Sequence, residues 1–82
     1  MFYTYILYSK RIGKYYVGQT KNLVRRLGDH NAGKTRYMKS GIPWELIYYL
    51  ECTTRSEAVK IERKIKSRGA NRFLKDIGVS RK

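Results

Sequence analysis

Glu62 is one of only six acidic residues set against nineteen basic ones in this chain, and it falls where an acid is hardest to accommodate. Around it, Ala58, Ile61 and Ile65 recur at i, i+3 and i+7, the inward stripe of an amphipathic helix. Glu62 lies at i+4 of that stripe. A carboxylate facing a core is costly unless it is paired, hydrogen-bonded or bound to a metal. A second segment repeats the anomaly. Leu23, Leu27 and His30 follow one another at i, i+4 and i+7, with Arg26 between them on the same stripe. Each residue has an ordinary explanation by itself: a glutamate pairing with a neighbouring cation, an arginine at a stripe margin, a half-buried histidine. An Arg, a His and a Glu on faces that should be apolar are harder to explain together.

The hairpin that opens the chain adds tyrosines. In an extended segment, Tyr3, Tyr5 and Leu7 share one face and Phe2, Thr4, Ile6 and Tyr8 the other. Gly18 inside the returning strand suggests a bulge or a close approach, as by a phosphate. A tyrosine hydroxyl, an arginine, a histidine and one glutamate form a coherent set for phosphodiester hydrolysis. The carboxylate would hold one hard divalent ion, Mg²⁺ or Mn²⁺, which keeps several of its waters. Arg26 would stabilise charge developing on phosphoryl oxygens. A tyrosine would take a proton from water only if nearby cations lower its pKa from about 10. One inward acid argues against a two-metal site.

Stepping outward, a net charge of +13 on 82 residues calls for a polyanionic partner, nucleic acid before an anionic membrane surface. The membrane is the weaker choice, because no basic helix here also carries exposed large apolar residues. Lys34, Arg36 and Lys39, in a connection without acids, are candidates to hold a nucleic-acid backbone. Cys52 is the only cysteine and His30 the only histidine, which excludes disulfide staples and zinc fingers. No run is long or apolar enough to span a membrane, and the first residues are too polar for a signal peptide. The expectation is one small cytoplasmic domain over residues 1–82.

The elements that must position these residues are legible. Residues 2–8 read as a strand, residues 9–14 as a hairpin loop and residues 15–19 as a second strand. Asn22 caps a helix reaching about Asn31, with Gly28 weakening it by roughly 1 kcal/mol relative to Ala. Residues 31–44 form a long connection, functional or mobile. Residues 45–51 are a third strand. Thr54 and Glu57 have the spacing of a capping box for the Glu62 helix, which stops near Gly69. Asn71 caps a last short helix. The order β-β-α-β-α-α predicts an α+β fold, a three-stranded, mostly antiparallel sheet flanked by helices.

These residues, in this order, resemble the GIY-YIG endonuclease superfamily. Tyr16-Val17-Gly18 corresponds to the second half of its motif and Tyr3-Thr4-Tyr5 to a degenerate first half, with ten residues between Tyr5 and Tyr16. Gln19 stands where the excision-repair members carry a lysine. The resemblance spans the whole chain and is greatest to small bacterial members. It implies that Tyr5 and Tyr16 lie near the scissile phosphate, that Arg26 and His30 assist on the first helix, that Glu62 binds one divalent metal, and that Asn71 matches a later asparagine. The expected function is metal-dependent hydrolysis of DNA phosphodiesters, with Tyr5 as the base. The rival is a non-catalytic nucleic-acid-binding module on the same scaffold. Partner dependence, dimerisation and the DNA structure recognised are left open by the sequence.

Overall fold

The computed structural model describes residues 1–79. Strand β1 (Phe2–Ser9) is the centre of a three-stranded sheet in the order β2-β1-β3, with β2 (Lys14–Thr20) and β3 (Glu45–Cys52) both antiparallel to it. Its residues earn the central position. Thr4 to Ser9 are all buried, as only a strand covered on both faces requires. The hairpin closes tightly, Gly13 donating its N–H to the Ser9 carbonyl at 2.8 Å from a left-handed φ of 64°. The alternation predicted for β1 holds. Tyr5 and Leu7 face one core with Met38 and Trp44; Ile6 faces the other with Val17, Ile65 and Leu74.

Helix α1 (Leu23–Asn31) lays Leu23 and Leu27 on the Tyr5 side. Asn22 caps it, Oδ1 accepting from the Arg25 N–H at 3.0 Å. Helix α3 (Arg55–Arg68) covers the opposite face through Ile61 and Ile65. Its capping box forms with a one-residue shift: Thr54 Oγ1 accepts from the Glu57 N–H at 3.2 Å, and Glu57 Oε1 from the Thr53 N–H at 3.0 Å. Buried Thr4 ties β1 to this helix by donating to the Ala58 carbonyl at 2.8 Å.

Several expectations are corrected. The 31–44 connection contains a one-turn helix, α2 (Arg36–Lys39), and is anchored. Asn31 grips Trp44 in both directions, donating to its carbonyl at 3.1 Å and accepting its N–H at 2.7 Å. The Trp44 indole donates to the Met38 carbonyl at 2.8 Å, and both side chains are buried. Such anchoring fixes a loop that length alone would leave free. The last helix, α4 (Ala70–Asp76), starts from Gly69, so Asn71 lies within its first turn and caps nothing. The sheet's irregularity falls between Ile6 and Leu7, where β1 meets β3, and not at Gly18. Val24 on the basic α1 is exposed, against the expectation that no basic helix carries an exposed apolar side chain. Among the described residues, no helix is long and apolar enough to cross a membrane.

Candidate active site over the second strand

Tyr5 and Gly18 are register partners, so both face the α1 side. The Tyr5 ring lies across β2, over Gly18. A methyl group added at Gly18 would stand 2.8 Å from the Tyr5 hydroxyl and 3.0 Å from Tyr16 Cε2. The close approach inferred from Gly18 is therefore real, but a tyrosine makes it. The ring, 2% exposed, carries its hydroxyl to within 2.9 Å of His30 Nε2. Tyr16 packs edge-on against His30, ring centres 4.9 Å apart, and 6.2 Å from Tyr5.

The electrostatics follow from burial. Removal from water raises the Tyr5 pKa above the ordinary phenol value; Tyr16 and Glu62 add to the rise, and Arg26 opposes it by charge and hydrogen bonding. Resting Tyr5 is thus a neutral phenol, contrary to the condition under which a tyrosine serves as the direct base. His30 is pushed the other way. Burial and the Arg26 cation lower its pKa, Asp29 opposing, so its imidazole is neutral at pH 7.

Arg26 is exposed, so it is not an inward residue of the kind predicted, and its cation favours the ionised form of Tyr5. Glu62 comes from the helix on the other face of the sheet. Its carboxylate is nevertheless felt at the Tyr5 hydroxyl, and its partner Lys66 shares a groove with Tyr16 along β2. Glu62 is half-buried, with a side chain 20% exposed, and its Oε2 lies 2.8 Å from Lys66 Nζ. The neighbouring-cation explanation thus holds for this residue, with a lysine one turn on as the partner. One half-buried carboxylate is the protein share that a hard divalent ion with several waters accepts, and Lys66 would have to yield it. Among the described residues, no group of three acidic, histidine or cysteine side chains could hold a metal.

The other predicted residues are not gathered here. Lys34 is drawn to Asp29 at 3.6 Å, and Arg36 and Lys39 are exposed on α2. Asn71 lines the groove beside Tyr16, its Oδ1 accepting from the Tyr15 hydroxyl at 3.3 Å. Sequence reasoning missed the cations grouped with Arg26. Lys21, Arg25 and Arg55 share a cleft with it and with Gln19, whose buried Oε1 has no partner among the described residues. The i+4 spacing of Lys66 from Glu62 was a usable signal; nothing local marked Arg55.

Fold and site together define a class: an α+β domain in which a buried tyrosine of the central strand bonds a buried histidine of the first helix, with an arginine on that helix and a half-buried carboxylate on the helix across the sheet. Residues 1–74 match the family model described as the GIY-YIG catalytic domain, and the chain belongs to the GIY-YIG family, a superfamily generally of nucleases. It is 37% identical over 76 residues to a UPF0213 protein of Staphylococcus haemolyticus, covering 92% of each chain. To a UPF0213 protein of Streptococcus pneumoniae serotype 4 it is 38% identical over 65 residues, 78% of this chain and 65% of that protein. The chain thus spans slightly under two thirds of that pneumococcal relative. The solution NMR structure of a UPF0213 protein from Bacillus halodurans superimposes with a TM-score of 0.58 at 27% identity, covering 98% of this chain and 86% of that one.

Proposed function

We propose that the protein is an endonuclease that hydrolyses DNA phosphodiester bonds with one bound Mg²⁺ or Mn²⁺. The observation that carries this reading is the 2.9 Å Tyr5–His30 hydrogen bond, on whose hydroxyl the Arg26 cation acts. That geometry supports a two-proton relay. As water attacks phosphorus and the bond to the leaving oxygen breaks, the water proton passes to the Tyr5 oxygen while the Tyr5 proton passes to neutral His30 Nε2, and the departing alkoxide takes its proton from solvent. Tyr5 then never has to exist as a free phenolate, which removes the obstacle set by its raised pKa. Arg26 donates to the phosphoryl oxygens as charge develops on them. Tyr16 walls the pair. Glu62 would hold the ion, which would supply charge stabilisation as the phosphodiester is cleaved. Lys34, Arg36, Lys39 and Asn71 extend the basic surface on which the backbone would lie.

The Glu62–Lys66 pair favours a second reading, a nucleic-acid-binding module in which the carboxylate is structurally engaged. Duplex, single-stranded, flap and junction DNA incubated with Mg²⁺, Mn²⁺ or EDTA separate the two. The nuclease cuts at least one substrate with metal and none in EDTA; the binding module retards DNA and cuts nothing.

A further inference from the structure

Beside the tyrosine–histidine pair, along β2, a groove of about 680 Å³ opens between α2 and the junction of α3 and α4. That volume suits a nucleotide-sized ligand. Tyr16 belongs both to this groove and to the candidate active site, so whatever fills the one adjoins the other. Tyr37 lines it from α2 and is 55% exposed. Its neighbour Met38 is fully buried and bonded to Trp44, so the exposed ring is presented from a fixed support.

The groove's cations are unequal. Arg68 is held by Asp76 through two bonds of 2.8 and 3.0 Å, and Lys66 is held by Glu62. Arg72 has no ion pair among the described residues. Asn71 uses its Oδ1 on Tyr15, which leaves its amide N–H groups for an acceptor. An exposed aromatic face, a free guanidinium and an amide around one nucleotide-sized space are the parts of a single-strand site. There bases stack on aromatic rings while cations take the backbone.

We propose that this groove receives one unpaired nucleotide of a DNA strand beside the phosphate to be cut, its base stacked on Tyr37 and its phosphate on Arg72. The inference rests on the nuclease reading of the adjoining site and adds the substrate class. A base inside a duplex has both faces covered by its neighbours and cannot stack on Tyr37 without leaving the helix. Flaps, gaps and single strands are therefore preferred over continuous duplex.

The test is binding in EDTA, so that it does not depend on cleavage. The probes are DNAs carrying 2-aminopurine, either unpaired next to a flap junction or paired within a duplex of the same length. The unpaired probe is expected to bind about tenfold tighter, with its fluorescence quenched by stacking. Tyr37→Ala should weaken unpaired binding roughly five- to tenfold and abolish the quenching, leaving duplex affinity unchanged. Tyr37→Phe should retain both. Arg72→Gln should lower the salt slope by about one phosphate contact. Unchanged melting of the Tyr37 variants shows that the ring is not structural. Equal affinity for paired and unpaired probes, or quenching that survives Tyr37→Ala, overturns the inference. Fully paired DNA bound and cut without any preference for unpaired bases overturns it and leaves the nuclease reading standing. No binding to any DNA overturns both.

Discussion

Burial moves the Tyr5 and His30 pKa values in opposite directions, up for the phenol and down for the imidazole, and the proposed relay uses both. The histidine carries a stability consequence with a definite sign. Its folded pKa lies below that of the unfolded chain, so the unfolded chain binds the extra proton as pH falls. His30 therefore contributes its full share above the unfolded value of about 6.5, and that share is lost as pH drops from there through the folded value. Melting temperature measured between pH 8 and 5 should fall on the acid side, and His30→Gln should flatten that part of the curve. The same proton would block the relay, so cleavage should fall over that range too. At this scale the sequence was informative about residue types and less so about their states. The stripe spacing of Leu23, Leu27 and His30 correctly brought His30 inside. It also brought Arg26 inside, which the structure does not, because Arg26 sits at the margin of the face that Leu23 and Leu27 turn to the core. The raised Tyr5 pKa was beyond the sequence, since it depends on the cover that Trp44 and Met38 place over the same core.

The elements were readable where their signals were local: the capping residues Asn22 and Thr54, the Ala58–Ile61–Ile65 stripe and the alternation along β1. Asn71 shows the limit. An asparagine ahead of a short apolar run is a fair cap, yet Gly69 starts α4 two residues earlier with a φ of 95° that few other residues adopt. The anchored 31–44 connection shows it again, because the Asn31–Trp44 bonds join positions whose pairing no local pattern reveals. Gly18 gives the element-scale prediction. A methyl group there collides with the Tyr5 hydroxyl and ring, so Gly18→Ala should destabilise by about 1–3 kcal/mol and displace the relay. Gly28→Ala is the matched control. Nothing lies within 4 Å of its added carbon, and in exposed helix it should stabilise by up to about 1 kcal/mol. Urea unfolding of the two variants should move in opposite directions.

At the scale of the whole molecule, +13 charges on so small a surface make association with a polyanion a property of the entire domain. With roughly five to eight phosphates contacted, the logarithm of DNA affinity should fall with the logarithm of salt at about 0.9 per contact, with little dependence on sequence. A titration flat between low and physiological salt would contradict this. Charge alone does not separate a nuclease from a binding module, and Glu62 is where they part. In a phosphate binder the carboxylate serves only its ion pair with Lys66, whereas a metal-dependent nuclease requires it for the ion. The decisive measurement is therefore Glu62→Gln against the parent, with cleavage, DNA affinity and melting temperature read on the same preparations. The nuclease account predicts that cleavage in Mg²⁺ or Mn²⁺ is abolished, that DNA binding is unchanged or slightly tighter because a negative charge has gone, and that the protein melts as before within a few degrees. A well-folded Glu62→Gln protein that cuts DNA as fast as the parent would contradict it.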